Sequence, residues 1–105
     1  MAINFKLIIT DKAKEDLEEI YDYISKSLMA ENTAIKFMQE FENSIFRLKD
    51  MPESCSIIET YKKRRYPYRK LLIKNYVVIY RVDDDKECVY ITRVVYGGRN
   101  YLNEI

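Results

Sequence analysis

The strongest hydrophobic pattern in the chain lies between Tyr68 and Tyr96, where β-branched and aromatic residues follow one another with few interruptions. This composition is typical of the half-buried, pleated surface of a β-sheet. Asn75 and the acidic run from Asp83 to Asp85 interrupt it, and both residue types favour turns because their side chains bond to nearby backbone. Connections this short join antiparallel neighbours. The pattern therefore predicts a three-strand antiparallel meander.

Helical periodicity replaces this pattern in the first half of the chain. Residues 3–9, INFKLII, alternate and predict a first strand, whose neighbour cannot be read from the sequence. Thr10 follows as a predicted N-cap for a helix over residues 11–28. The apolar stripe of this helix has spacings of three and four, and its members are Ala13, Leu17, Ile20, Ile24 and Leu28.

A second helical stripe follows after a short joint at residues 29–31. Its N-cap is predicted at Asn32 or Thr33, and it ends near Asp50 because Pro52 cannot continue a helix. Its apolar positions are Ala34, Phe37, Met38, Phe41, Ile45 and Leu48. Two striped helices joined by a few residues predict an antiparallel hairpin.

Together these elements predict an α+β fold in a single domain over residues 1–105. An N-terminal strand, the antiparallel two-helix hairpin and the meander follow in that order, with the hairpin packed on a mostly antiparallel four-stranded sheet. Ile57 and Ile58 are expected to pin the intervening loop to the core. The residues predicted to share one core are Leu17, Ile20, Ile24, Phe37, Phe41, Ile45, Val78 and Tyr80.

The composition excludes several classes of protein. With 48% hydrophobic and 33% charged residues, two Gly and two Pro, it indicates a compact chain rather than a disordered one. No apolar run approaches the roughly 20 residues of a membrane span, and the first residues lack the apolar centre of a signal peptide. A cytoplasmic location without a membrane partner is expected, with Cys55 and Cys88 as reduced thiols. Without His, CxxC or Gly-rich phosphate loops, neither a metal nor a cofactor is expected.

The formal net charge of +1 hides a division between the two halves. Residues 1–60 carry 7 Lys and Arg against 12 Asp and Glu, whereas residues 61–105 carry 11 against 5. The basic run at 62–65 is either a solvated loop or a contact for an anionic partner. Because Lys and Arg avoid apolar interiors, one face or edge of the sheet is expected to be polar and basic, with the contributors Arg69, Lys70, Lys74, Arg81 and Arg93.

Three segments carry a resemblance to a known family. TDKAKEDLEEIYDYI in the first helix, NYVVIYRV in the central strand and RVVYGGRNYL at the end, in this order of elements, resemble the RelE/ParE superfamily of toxins from type II toxin–antitoxin systems. The resemblance covers nearly the whole chain. It implies either RelE-like, ribosome-dependent cleavage of mRNA or ParE-like inhibition of DNA gyrase. The shared fold does not separate these activities, because function belongs to the site.

One position of the central strand separates the two branches. RelE-like enzymes place an Arg after the Tyr of a GYRLVY-like segment, whereas this chain has Val77 in NYVVIY. ParE-like toxins resemble this chain in having an apolar residue there. The loss of an Arg that binds phosphate removes an interaction able to stabilise a transition state. The resemblance therefore favours the ParE-like branch.

The function expected from the resemblance is that of a toxin that arrests growth by inhibiting DNA gyrase and is silenced by a cognate antitoxin. An mRNA interferase acting with the ribosome on mRNA is the alternative, and a degenerate toxin that only binds its antitoxin is a third. In the interferase, catalysis would rest on Arg69, Arg99 and Tyr101, helped by Lys70 or Arg65. In either case the residues expected to bind a partner or nucleic acid are Arg64, Arg65, Lys70, Lys74, Arg81 and Arg93.

Arg99 is the single residue outside the core that is expected to matter most for function. It follows Gly97 and Gly98, which allow the chain to turn sharply after the last strand. An Arg placed there can bind a phosphate or carboxylate with two hydrogen bonds. It can equally hold down the end of the chain, so both roles stay open.

Overall fold

A computed structural model describes residues 4–59 and 67–98 of the chain. Within them, a strand, two helices and three strands follow in the predicted order, which confirms the α+β fold class. The elements are β1 (Lys6–Ile9), α1 (Asp11–Asp22) with a π-helical continuation (Tyr23–Ser27), α2 (Glu31–Phe46) with a 3₁₀ turn (Arg47–Lys49), β2 (Tyr68–Ile73), β3 (Tyr76–Asp83) and β4 (Cys88–Tyr96).

The four strands form one sheet in the order β1-β4-β3-β2. The last three are antiparallel neighbours, which confirms the meander. β1 pairs in parallel with β4, from Lys6 opposite Cys88 to Ile9 opposite Ile91. β1 begins at Lys6 and is therefore shorter than the strand predicted over 3–9, of which Ile3 lies outside the described residues. The parallel pairing leaves the final residues of β4 beyond the end of β1.

Thr10 caps α1 as predicted and also ties it to the sheet. Its Oγ1 accepts a hydrogen bond from the Ala13 amide at 3.2 Å and donates to the carbonyl oxygen of Ile91 at 3.1 Å. The helix continues to Ser27 as a π-helix, which takes more residues per turn than an α-helix. This change of period rotates Leu28 away from the core. The buried stripe therefore ends at Ile24, and Leu28, the last predicted member, is exposed.

The second helix begins earlier than predicted. It starts at Glu31 after Ala30, without a side-chain cap, so the predicted caps at Asn32 or Thr33 are wrong. Met29 adopts a φ of 51°, a left-handed conformation that reverses the chain within the short joint. The 3₁₀ turn closes the helix close to its predicted end.

The helix hairpin packs on one side of the sheet, here called the helix face, and the other side is called the outer face. Along β3, Val78 and Tyr80 point to the helix face, whereas Val77 and Ile79 belong to a second cluster on the outer face. All eight residues predicted to share the core are buried in the cluster on the helix face. That core prediction is confirmed.

The segment before residue 60 follows the sequence prediction only in part. Ile58 is buried in the outer-face cluster, but Ile57 is exposed. The segment pairs with the start of β2, where the Ile58 amide donates to the carbonyl oxygen of Tyr68 at 2.8 Å. Alternate residues of such an extended segment point to opposite sides, so only one of the two isoleucines can reach the cluster.

Within residues 4–59 and 67–98, no helix is long and apolar enough to cross a membrane. The two cysteines, Cys55 and Cys88, are unpaired thiols. In the same residues, no three His, Cys, Asp or Glu side chains come together as a metal ion would require.

Candidate functional site

The outer face carries a row of aromatic and basic side chains across three strands. Tyr68 of β2 lies opposite Arg81 of β3, and Arg81 lies opposite Tyr90 of β4. The guanidinium carbon of Arg81 is 4.3 Å from the centroid of the Tyr90 ring, a cation–π contact that holds the charge against the ring. Lys70, opposite Ile79, adds a second cation to this face. The row offers positive charge and aromatic surface to one partner.

Arg69 lies on the helix face, although it precedes Lys70 in the chain, because successive strand residues point to opposite faces. Its Nη1 donates to the carbonyl oxygens of Cys55 at 2.7 Å and Glu53 at 3.3 Å. Its Nη2 lies 3.9 Å from the Glu53 carboxylate, and only 15% of the side chain is exposed. Arg69 therefore fastens the loop after α2, and little of its guanidinium is left for a ligand.

Tyr80, opposite Arg69 on β3, fixes the same loop. Its hydroxyl donates to the carbonyl oxygen of Pro52 at 3.0 Å. Burial first, and then the hydrogen bond with the Cys55 side chain, raise the pKa of the Tyr80 hydroxyl above its ordinary value. This phenol stays protonated at neutral pH, so it acts as a hydrogen-bond donor and not as a base.

Arg93 is held by α1. Its Nε and Nη2 donate to the two carboxylate oxygens of Asp16 at 2.8 and 3.1 Å, and the amide of Val94 donates to the same carboxylate at 2.9 Å. Asp16 is only 6% exposed. Its hydrogen bonds are the main reason why the pKa of Arg93 is raised. Asp16 thus joins the second turn of α1 to the part of β4 that extends beyond β1.

Lys74 lies in the turn between β2 and β3. Its Nζ is 3.8 Å from the Glu40 carboxylate of α2, and both side chains are about half exposed. Ion pairs of this kind contribute little to stability. The Lys74 ammonium remains accessible to an anionic partner.

The basic face expected from the sequence is therefore divided. The structure brings Lys70 and Arg81 together on the outer face, but it places Lys74 at a turn, Arg93 against α1 and Arg69 on the helix face. The remaining predicted residues lie outside the described ranges, and their roles stay predictions: Arg64, Arg65, Arg99 and Tyr101.

A groove of ≈ 770 Å³ runs between α1 and the end of β4. Tyr23 from the π-helical turn and Tyr96 from the end of β4 line it, and each is more than half exposed. Tyr76 lies at its base, where its ring packs edge-on against Tyr96 and against the buried Phe37. Burial, followed by the neighbouring Tyr23 and Tyr96, raises the pKa of the Tyr76 hydroxyl. The groove is a concave, aromatic surface on the side of the domain away from Arg69.

Sequence reasoning missed two parts of this arrangement. Asp16 lies three residues after the buried Ala13 and four before the buried Ile20, so its position on the stripe was a readable signal that it faces the protein. The convergence of Tyr23 with Tyr96 had no such signal, because it depends on where the hairpin crosses the sheet.

A family model described as the ParE toxin of the type II toxin–antitoxin system parDE matches residues 7–101. Comparison with curated proteins found no match. Among solved structures, the chain is similar to one from the chromosomal ParDE system of P. aeruginosa, with a TM-score of 0.71 and 21% identity over 90% of this chain and 98% of that chain.

Two further structures share the fold. A chain of the archaeal RelE–RelB complex from Pyrococcus horikoshii OT3 matches with a TM-score of 0.64 and 16% identity, over 92% of this chain and 99% of that chain. The isolated E. coli RelE toxin matches with a TM-score of 0.60 and 12% identity, over 95% of this chain and 92% of that chain. At these identities the likeness concerns the fold alone.

Proposed function

This chain belongs to the ParE toxin family of type II toxin–antitoxin systems, and from that premise we propose that it arrests growth by inhibiting DNA gyrase. The family model covers the chain from β1 to beyond β4. Inhibition of gyrase is the activity expected of the ParE-like branch. Cleavage of mRNA on the ribosome, the activity of the RelE-like branch, is the competing function.

The observation that carries the proposal is the burial of Val77 among apolar side chains. This residue stands where RelE-like enzymes have an Arg, and here it is 3% exposed. It packs with Ile58, Ile79 and Val95 in the apolar cluster of the outer face. A ribonuclease needs converging charge around the scissile phosphate. A buried Val at the centre of the sheet places apolar surface at that position instead.

The contacts of two other cations support the same choice. Arg69, which the interferase would use in catalysis, donates to two carbonyl oxygens of the loop after α2. Arg93 is paired with the buried Asp16. Releasing Arg93 for a phosphate would leave the buried Asp16 carboxylate without its partner, which is costly. Releasing Arg69 would give up the hydrogen bonds that hold the loop after α2. Lys70 and Arg81 lie on the outer face beside Tyr68 and Tyr90, an aromatic surface that is suited to binding a macromolecule.

The second part of the proposal is that a cognate antitoxin binds this chain in the cytoplasm and silences it. Similar folds occur in structures described as toxin–antitoxin complexes, among them the RelE–RelB complex from Pyrococcus horikoshii OT3. The domain also exposes large apolar side chains on and beside its hairpin, including Leu28, Met29 and Ile35. An antitoxin that covers such surface would withdraw it from water.

Two assays on the purified chain test the proposal side by side. In the first, gyrase supercoils relaxed plasmid DNA in the presence of increasing toxin. In the second, ribosomes carrying a defined mRNA are incubated with the same toxin, and cleavage is read by primer extension. We expect loss of supercoiling and intact mRNA.

The reverse result, cleaved mRNA with unaffected gyrase, would overturn the proposal in favour of the interferase. In that case Arg99→Ala should abolish cleavage and Arg99→Lys should restore it only in part, because Lys cannot make the paired hydrogen bonds of Arg. If neither activity appears while the antitoxin still binds, the chain is a degenerate toxin and the gyrase proposal is wrong.

A further inference from the structure

A second groove, of ≈ 620 Å³, lies between α2 and the turn that joins β2 to β3; it is called the α2 groove below. Its wall on the helix consists of exposed polar and charged residues that recur at the period of one helix face. Lys74 of the turn forms the other side, and its Nζ lies 3.8 Å from the Glu40 carboxylate. The exposed residues of the wall are Lys36, Gln39, Glu40, Asn43 and Arg47.

The α2 groove has a surplus of positive charge. Lys36, Arg47 and Lys74 contribute three cations, and Glu40 contributes one carboxylate. By contrast, the larger groove between α1 and the end of β4 is lined by two cations and two carboxylates. A concave surface lined by one sign of charge attracts ligands of the opposite sign. The α2 groove is therefore suited to an anionic partner.

Two of its cations are available to such a partner. Lys36 and Arg47 are exposed, and within residues 4–59 and 67–98 neither forms an ion pair. The carboxylate of Glu40 faces the Lys74 ammonium, which offsets its repulsion of an anion. The positive charge of the wall is thus directed to solvent at both ends of the helix face.

The side chains of the α2 groove distinguish between kinds of anionic partner. Among the described residues that line it, none is apolar or aromatic. The centre of a protein interface is apolar and rich in aromatic residues, and single-stranded nucleic acid stacks its bases on aromatic rings. Lys, Arg, Asn, Gln and Ser are instead the side chains that bind the phosphates of a duplex. The composition favours a duplex backbone over a protein or a single strand.

The length of the wall fits the same ligand. Lys36 and Arg47 are eleven residues apart, and a rise of about 1.5 Å per residue separates them by about 16 Å along the helix axis. A DNA duplex carries one negative charge for about every 1.7 Å of its axis. Both ends of the wall can therefore meet phosphates of one duplex at the same time.

We propose that the α2 groove binds the phosphate backbone of double-stranded DNA. Lys36, Arg47 and Lys74 contact phosphates, and the side-chain amides of Gln39 and Asn43 add hydrogen bonds. This inference rests on the proposed function, under which the bound DNA is the duplex that gyrase holds. It adds a second contact to the inhibited complex, and this contact is independent of DNA sequence because phosphates carry no sequence information.

Fluorescence anisotropy of a short labelled DNA duplex tests the proposal without gyrase. The logarithm of the association constant should fall with the logarithm of salt concentration with a slope of about −2 to −3, because each phosphate contact contributes about −0.9. Replacing Lys36 and Arg47 together by Gln should weaken binding at least about tenfold at low salt and bring the slope close to −1. No detectable duplex binding at low salt would overturn the proposal.

The matched control replaces Lys12 and Lys26 together by Gln. This variant loses the same two charges, from exposed positions that pair with Glu15 and Asp22 along the first helix and its continuation. Its affinity and salt slope should stay close to those of the wild type. Equal losses in the two double variants would show that only the net charge matters and would refute the α2 groove.

Glu40→Gln provides a test in the opposite direction. It removes the one carboxylate of the α2 groove and releases Lys74, so duplex binding should tighten about three- to fivefold. A loss of folding does not strengthen binding, and circular dichroism checks that every variant folds. Unchanged or weaker binding by Glu40→Gln would contradict the proposed location.

Other ligands and the parallel gyrase assay give distinguishable outcomes. Tighter binding to an RNA duplex of the same sequence, or to polyglutamate, would overturn the assignment to DNA. Duplex binding through the α2 groove without inhibition of supercoiling would refute the proposed gyrase target and leave this inference intact. Inhibition of supercoiling by a toxin that does not bind the duplex would refute only the α2 groove.

Discussion

The carboxylate of Asp16 is the most consequential single polar group in the described part of the domain. It accepts hydrogen bonds from Arg93 at 2.8 and 3.1 Å and from the Val94 amide at 2.9 Å. These contacts join α1 to a strand that is far from it in sequence. Replacing Asp16 by Ala therefore removes the polar link between α1 and β4 and leaves two donors without their acceptor.

The size of the effect follows from burial. The side chains of Asp16 and Arg93 are 6% and 15% exposed, so water cannot fully replace the hydrogen bonds that either group would lose. Removing one partner of a buried ion pair costs about 3–5 kcal/mol, and a buried N–H without an acceptor costs about 1–3 kcal/mol. Because Arg93 keeps some access to water and these terms overlap, we expect a total near about 3–4 kcal/mol for Asp16→Ala. Asp16→Asn keeps an acceptor for Val94 and should cost about 2 kcal/mol.

Urea denaturation followed by far-UV circular dichroism measures the free energy of unfolding. In a separate thermal denaturation, the melting temperature of each variant should fall by about 4–8 °C for each kcal/mol of stability lost. Glu15→Ala is the control, because Glu15 forms an exposed pair with Lys12 at 3.6 Å on the same helix and its loss should stay within about 0.5 kcal/mol. In a double-mutant cycle, Asp16→Ala with Arg93→Ala should cost less than the sum of the single changes. A loss below about 1 kcal/mol for Asp16→Ala, with an unchanged denaturant slope, would refute this reasoning.

Three further predictions concern the core, the loop after α2 and the outer face. Phe41→Ala should cost about 3–5 kcal/mol because Phe41 is buried, whereas the exposed Phe46→Ala should cost under about 1 kcal/mol; similar losses by urea denaturation would contradict the packing of the hairpin. Tyr80→Phe removes the hydrogen bond to Pro52 and should cost about 1 kcal/mol at neutral pH. Because the pKa of Tyr80 is raised, the stability that its protonated hydroxyl contributes is fully present below about pH 10, where an unfolded Tyr ionises, and is lost as the pH rises above that value. Tyr80→Phe should lose less over that range, and equal losses in alkaline denaturation would contradict the burial of this hydroxyl. Arg81→Ala should weaken gyrase inhibition about tenfold, as expected for loss of one charged contact, with little change in melting temperature; undiminished inhibition would remove the row on the outer face from the target contact.

Local patterns predicted most of the fold, because helices and strands here keep their apolar residues at the period of the element. The Thr10 cap, the two helices, the meander and the core around Phe41 all follow from spacing and residue type. The parallel partner of β1 depends on where the hairpin returns the chain, which no local pattern encodes. The start of α2 also differed, because the left-handed Met29 shortens the joint and Ala30 takes the cap position without a side-chain bond.

The candidate site was less predictable because it depends on partners that are distant in sequence. Arg69 and Lys70 are adjacent cations, yet alternation along β2 sends them to opposite faces, and only the fold shows that Arg69 meets the loop after α2. Arg93 finds Asp16 across the sheet edge in the same way. A count of basic residues therefore overestimated how many would converge on one surface.

The two faces of the sheet impose different chemistry, and this difference bears on the target. Catalysis on a phosphate needs several charges fixed around one point, but the described cations of this sheet are dispersed. Arg81 lies against Tyr90 on the outer face, which also carries the apolar cluster that contains the buried Val77. A positive charge held against an aromatic ring, on the same face as an apolar cluster, is the mixture of apolar and polar surface that protein interfaces use. An inhibitor that works by binding gyrase needs only such a surface, and the burial of Val77 therefore supports the proposed gyrase target.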